Sequence, residues 1–332
     1  MRAIRIHGFG SVEMLVHEEV PPPEASGDEV LIDVALAGVN HTDTRLREIG
    51  RQSTVEADGA PRRMSEADLP VIPGGEVVGV DETGRRVVAL CGSGGYAQRV
   101  RARRDRVFVV PDTLSDAEAL ALFIHGLTAF YLCRVSARVA RDESIVVHGA
   151  AGGIGAIAVQ LAKIAGAGRV IATASTKKKR ALAVSLGADV ATDSLGEGLA
   201  ERLVQANTGS RVDVVLEAVG GTVFAESLAA LGRFGRLVTY GSSSGRPSEV
   251  EPGTFLIGSR SLVGFWLLDF FHDTQDVTRS LAELFELAAT GRVKPVLGPT
   301  YPLAEVAEAH RAIARREVAG KIFLDPRTPG AA

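Results

Sequence analysis

Cysteine is nearly absent from this 332-residue chain, which holds only Cys91 and Cys133 with no metal-binding spacing between them. That excludes a disulfide framework. It fits a reducing cytoplasm, with both thiols as small buried apolar groups. No sign of charge dominates. Lys and Arg number 37 against 40 Asp and Glu, a net of −3, so no global basic field draws the chain to nucleic acid. Long apolar runs are missing too. Gly, Arg or Asp interrupts each well before the ~18 residues of a membrane helix. The opening MRAIRIHGFG alternates like a strand and lacks a signal-peptide apolar region, so neither a membrane nor an export address is expected. There is no internal repeat and no low-complexity segment. What remains is an ordinary globular composition, 46% hydrophobic and 23% charged. The length suits about two domains of roughly 150 residues with a substantial core.

Two textures divide the sequence. Up to about residue 118, short strand signals follow one another. EVLIDVALAGV comes after the turn-forming PPPEASGD, and GRRVVAL and GYAQRVRARRDRVFVVP come later. Helix-like text is scarce here, so this half reads as an irregular, mostly antiparallel β unit. From about Leu120, strands alternate with helices: ESIVVHGA then GAIAVQLAKIAGA, RVIATAS then KKKRALAVSLGA, VDVVLEAVG, ESLAALGRFG and RLVTYGS. That alternation predicts a doubly wound parallel sheet, an α/β fold. After about Gly291 the pieces are mixed, and the closing GKIFLD is expected to return as a strand to the first half. Residues 51–68 are polar and unpatterned and read as a long loop, the kind that often forms a lid.

The segment VVHGAAGGIGAIAVQ carries the clearest mechanism. A buried strand ends at Val147, a turn of small residues runs from Gly149 to Gly155, and a helix follows. Gly152 and Gly153 allow the backbone to approach a pyrophosphate, and Gly155 allows close helix–strand packing. The helix N-terminus offers unpaired N–H groups and the positive end of its dipole. Ala150 stands at the first position of the usual G-x-G-x-x-G pattern, so the match is imperfect. The bland reading is a tight turn with no ligand, but the strand–turn–helix context favours a dinucleotide. The second strand ends in Thr173, Ala174 and Ser175 without the acid that binds an NAD ribose. Thr176 to Arg180 follow, rich in hydroxyls and cations, as a 2′-phosphate requires. Cations are unfavourable at a helix start unless an anion joins them. NADPH is therefore expected, on Ser175 and Lys179 with Lys178 in reserve.

Taken together, AGVNHTD, LPVIPGGEVVGV, GRRVVAL, GGYAQRV, GLTAFY, GAAGGIGAIAVQLAKIAGA, LGAD, VLEAVGG, GRLVTYGS and GKIFL occur in one order over nearly the whole chain. In this the sequence resembles the medium-chain dehydrogenase/reductase superfamily, in its zinc-independent quinone oxidoreductase branch with zeta-crystallin-like and enoyl-reductase relatives. The resemblance implies a GroES-like β-rich catalytic domain (1–119 and 271–332) and a Rossmann NADPH-binding domain (120–270). Zinc-dependent relatives carry a Cys-His pair and a Gly-His-Glu. Here Asn40 and Gly75 replace the Cys and the second His, and the four-cysteine lobe is missing, so no metal is expected. His41 then reads as a polar cleft or loop residue. Without a Lewis acid, hydride delivery to a quinone or an α,β-unsaturated carbonyl is the natural chemistry.

By the same resemblance, Asn40 and Asp43 line the cleft and Thr128 lies beside the nicotinamide. Ala218, Val219 and Gly241 flank its ring, and Phe265, Trp266 and Leu267 approach its amide. The cofactor set is completed by Asn40, Gly152, Gly153, Ile154, Ser175, Lys179 and Ser194, and the catalytic set is Asn40, Asp43 and Arg45. Phe265 and its neighbours also suit an edge strand in a homodimer. The chain departs from many relatives in lacking a Tyr after Asn-x-x-Asp. Arg45, Arg47 and Arg51 stand there, either as solvated residues or as anchors for an anionic or carbonyl group. Three other readings compete: an enoyl reductase for a specialised intermediate, a low-turnover nucleotide- or RNA-binding protein using RVRARRDR, and a metal-dependent alcohol dehydrogenase. The arginine run lacks the interleaved aromatics that stack bases, so no nucleic-acid partner is expected.

Overall fold

The structure is a computed structural model that describes residues 1–55, 61–246 and 248–328. The chain divides into two compact units. One comprises Met1–Ile124, Phe271–Phe285 and the chain from Leu297 onward; the other comprises His125–Phe270 and Glu286–Val296. The boundary expected at 119/120 thus falls at 124/125, and the segment 286–296 belongs to the second unit rather than the first. A buried amide is one reason. Gln160 accepts from the Lys294 N–H at 2.7 Å and donates to the Lys294 carbonyl at 3.0 Å, tying that segment to the parallel-sheet unit.

The first unit is built on strands β1 (Arg2–Ile6), β2 (Leu15–Glu19), β3 (Glu29–Val39), β4 (Arg51–Val55), β5 (Pro61–Arg63), β6 (Glu76–Asp81), β7 (Arg86–Leu90), β8 (Arg99–Arg103) and β9 (Val107–Val109). Helix α1 (His41–Ile49) follows β3, and α2 (Asp116–Ala121) follows β9. The early part of β3 alternates between buried and more exposed positions, as one-sided packing requires. From Val34 onward every residue is buried, because β3 is central: it pairs with β6, with β8 and with a late strand of the chain. The expected loop over 51–68 is corrected in part. β4 and β5 pair antiparallel as a ribbon, and a 3-10 turn covers Glu66–Asp68. A polar ribbon has no hydrophobic alternation, so pattern reading misses it. Residues 56–60 of that segment lie outside the described residues.

The second unit holds β10 (Ser144–Val147), β11 (Arg169–Thr173), β12 (Val190–Thr192), β13 (Val212–Glu217), β14 (Leu231–Thr239) and β15 (Ser261–Gly264). Its helices are α3 (Leu127–Tyr131), α4 (Gly153–Ile164), α5 (Lys177–Ser185), α6 (Leu199–Ala206), α7 (Thr222–Ala230) and α8 (Gly253–Leu256). All five strand pairings are parallel, in the order β12-β11-β10-β13-β14-β15. Counted from β10 this is 3-2-1-4-5-6, the doubly wound order with its switch point between the first and fourth strands. The chain continues through α9 (Thr274–Ala289), β16 (Leu297–Pro302), α10 (Val306–Ala314) and β17 (Lys321–Asp325). β17 returns to the first unit and pairs antiparallel with β3, as the closing GKIFLD predicted.

One helical stretch bears on the expectation that Gly, Arg or Asp interrupts every apolar run, and Gly126 lies within it. Asp116–Ser136 is long and apolar enough to cross a membrane by length and composition. However, 72% of its apolar window is buried, which is the setting of a core helix.

Candidate active site

On the second unit, the turn after β10 has the expected shape for an unexpected reason. Gly149 adopts φ 60°, a left-handed turn conformation that glycine accepts without cost. Gly152 is the N-cap of α4. A Cβ on Gly153 would fall on the His125 imidazole, so this glycine makes room for a side chain. A Cβ on Gly155 would collide with the turn itself, 2.8 Å from the Gly149 carbonyl carbon and from Ala150 Cα, rather than with a neighbouring strand. The backbone is therefore coiled so tightly that the first N–H groups of α4, from Gly153 and Ile154, are presented together at the helix start.

The remaining predicted cofactor residues share one edge. Ser175 follows β11, Ser194 follows β12, Ala218 and Val219 follow β13, Gly241 follows β14, and Phe265, Trp266 and Leu267 follow β15. The structure thus gathers them at the carboxyl ends of the parallel strands, where ligands of such sheets bind. Thr128 stands apart from this pattern, buried on α3. Ser175, Lys177 and Lys178 are exposed and Lys179 is half-buried, while Thr176 caps α5 by accepting from the Lys179 N–H at 3.2 Å. A cavity of about 460 Å³ opens against Thr239, Tyr240, Gly241, Gly264, Phe265, Trp266 and Asp269.

Two buried groups at this edge escaped sequence reading. Glu217 ends β13 and accepts from the Val219 N–H at 2.6 Å and the Gly220 N–H at 2.8 Å, which fixes the turn carrying Ala218 and Val219. Burial raises its carboxyl pKa. His148 is held between Thr173 Oγ1 (2.9 Å) and Ser227 Oγ (2.7 Å), joining β10, β11 and α7. Burial lowers its pKa to about 4, so it is neutral.

On the first unit, Asn40 is the N-cap of α1. Its amide is held at both ends. Oδ1 accepts from Lys321 Nζ at 2.7 Å, and Nδ2 donates to Glu76 Oε1 at 2.8 Å. Lys321 and Glu76 are themselves ion-paired and fully buried. A Cβ on Gly38 would lie 2.6 Å from Glu76 Oε1, so β3 carries glycine where Glu76 enters.

Asp43, expected to line the cleft, is enclosed by its own surroundings. It is buried, and its carboxylate accepts from the Asn40 N–H at 2.7 Å and from the Tyr96 hydroxyl at 3.2 Å. It supports the start of α1 from inside. Burial raises its pKa to about 6, opposed by the Asn40 N–H and Lys321. Tyr96 in turn meets His310 Nε2 at 3.4 Å. Burial, with Arg47 nearby, lowers the His310 pKa to about 3.

Arg45 is likewise committed. It bonds Glu48 Oε2 at 3.2 Å, and the buried Arg47 bonds Glu48 Oε1 at 2.6 Å. Burial, then Arg45, lowers the pKa of His41 at the start of α1. The arginines of RVRARRDR are paired as well: Arg99 with Asp33, Arg101 with Glu29, Arg103 and Arg106 with Asp105, and Arg104 with Asp28. Such a compensated strip offers little net field to a polyanion.

The sequence profile of the family described as Zinc-binding dehydrogenase matches residues 153–284. Quinone oxidoreductase 1 of Escherichia coli is 31% identical over 97% of this chain and 99% of its own length. The human quinone oxidoreductase is 29% identical over 98% and 97%. Among solved structures, the E. coli quinone oxidoreductase in complex with NADPH superposes with a TM-score of 0.88 at 30% identity, covering 98% of this chain and 100% of the other. The Thermus thermophilus quinone oxidoreductase, also solved with NADPH, gives 0.82 at 34% identity over 98% and 100%. The zinc of the profile's description does not fit the residues here. The Lys321 ammonium already neutralises Glu76, Asn40 is an amide, and no group of three or more His, Cys, Asp or Glu suited to a metal occurs among the described residues. This chain belongs to the quinone oxidoreductase branch of the medium-chain dehydrogenase/reductase superfamily.

Proposed function

We propose that the chain is an NADPH-dependent oxidoreductase that delivers hydride to a quinone or an α,β-unsaturated carbonyl without zinc, as a cytoplasmic homodimer. The observation that carries this reading is the sheet edge. A glycine turn and a helix start follow the first strand, and hydroxyls and exposed lysines, with no acid, follow the second. The relatives named quinone oxidoreductase and the NADPH complexes among them support it. The first N–H groups of α4 would hold the pyrophosphate. Ser175 and Lys179 would hold the 2′-phosphate, and Ser194 would lie beside them. Ala218, Val219, Gly241 and the 265–267 segment would shape the nicotinamide pocket, with Thr128 against the ring. NADPH supplies the hydride when bound. Asn40 orients the reacting groups through its fixed amide, and Asp43 holds Asn40 from behind. A conjugated acceptor delocalises the added charge itself, so positioning and exclusion of water are the main tasks left to the protein.

The test is NADPH consumption against a naphthoquinone, a phenanthrenequinone, an enal, an enone and an enoyl thioester, with NADH in parallel. Turnover of at least one acceptor with NADPH preferred is expected. Turnover with NADH equal to that with NADPH would overturn the cofactor assignment, and no turnover of any acceptor would overturn the reductase reading.

A further inference from the structure

Three fully or partly buried polar side chains from distant parts of the chain form one closed circuit in the first unit. Lys321 comes from β17, Glu76 from the start of β6, and Asn40 from the junction of β3 and α1. Lys321 is 1% exposed and Glu76 0%. The carboxamide of an asparagine is nearly symmetric in shape, so packing alone does not decide which end is oxygen. Here charge decides it. A flipped amide would turn its NH2 group to the ammonium and its oxygen to the carboxylate, replacing two charge-assisted bonds by two repulsions. Only one orientation of Asn40 is compatible with Lys321 and Glu76.

We propose that Lys321 and Glu76 are positioning residues that act through Asn40, holding its amide in the single orientation the reaction uses. This rests on the reading of Asn40 as a residue that orients the reacting groups. Neither charged group touches substrate, since neither is accessible. The pair keeps a part-buried amide rigid at the start of α1. Asp43 performs the same service for the backbone of Asn40, so side chain and main chain are each fixed by a buried charged group.

The test is a mutant cycle read as kcat, using the acceptor that the wild-type enzyme reduces best. Lys321→Met with Glu76→Gln removes both charges together and leaves no buried ion alone. Asn40→Ala removes the amide. Each change should lower kcat on the order of 10- to 100-fold, the scale of a misplaced group, with the NADPH KM moving less than about threefold. Combining them should lower kcat no more than about twofold beyond Asn40→Ala, because groups that act as one unit are not additive. Circular dichroism and thermal melts report whether each variant is folded. If the double change does not fold, Glu76→Gln alone, crossed with Asn40→Ala, closes the same cycle. Additive losses, or a wild-type kcat in any folded variant of the cycle, would overturn the proposal. Absence of wild-type turnover would instead refute the reductase reading, which the wild-type assay detects first.

Discussion

His148 shows how a single buried side chain sets a pH response. Its two ring nitrogens are held by Thr173 and Ser227, and its pKa falls from 6.5 to about 4 because burial penalises the charged ring. A group depressed in the folded state favours folding above its unfolded pKa and loses that contribution as pH falls through the folded value. His310, at about 3, acts in the same sense. Asp43 acts in the opposite one. Its pKa is raised from 3.8 to about 6, so its contribution is present below about 4 and is lost as pH rises through 6. Between about pH 4 and 6, two histidines oppose one aspartate, and these three groups together destabilise the fold on acidification. His148→Gln should flatten that decline by up to ~1.4 kcal/mol per pH unit, the value for one proton. Urea midpoints across this range measure it; an unchanged pH dependence would show that His148 is not protonated on unfolding.

Helix α4 begins where a glycine and a histidine compete for one space. A methyl on Gly153 would meet the His125 ring. Gly153→Ala should therefore cost about 1–3 kcal/mol, as overpacking does, and weaken NADPH by displacing the helix start. Adding His125→Ala should restore most of the thermal midpoint. If the midpoint stays low in the pair, the glycine is required by the backbone and not by the imidazole. The contrast with the first unit explains what sequence reading reaches. The turn, its helix and the strands around it are local patterns of small residues and alternating apolar runs, so the doubly wound sheet is readable from one stretch after another. The glycines are readable too. The His125 contact behind one of them is not, because it joins separate segments and depends on a ring orientation. The Asn40 circuit is more remote still. Glu76 lies 36 residues from Asn40, and Lys321 lies 245 from Glu76 and 281 from Asn40. Nothing in GKIFL marks its lysine as buried, and a lysine that opens a strand ordinarily reads as a solvated surface residue.

For the whole molecule, the open side of the parallel sheet carries the largest consequence. β15 is the last strand of that sheet, and beyond it no further strand pairs among the described residues. An unpaired edge is a template for another chain unless it is covered. Apolar side chains stand exposed here despite Arg260 just before the strand and Arg233 beside Phe234. Leu262 on β15 is 40% exposed, and Phe234, Leu256 and Ile257 in the same unit are 71%, 82% and 82% exposed. The Phe234 N–H donates to the Gly258 carbonyl at 2.7 Å, which brings its backbone beside the Leu256–Ile257 segment, and contiguous exposed apolar surface marks a contact site. A two-fold axis would satisfy the edge with an identical edge, since isologous contacts close on themselves and leave nothing to propagate. The proposed homodimer therefore predicts a mass of two chains by light scattering. Leu256→Asp with Ile257→Asp should shift that mass to one chain while the unit stays folded, because both side chains already stand in solvent within a single chain. A monomeric wild type would refute the dimer. A dimer that survives the double change would place the contact elsewhere on the chain.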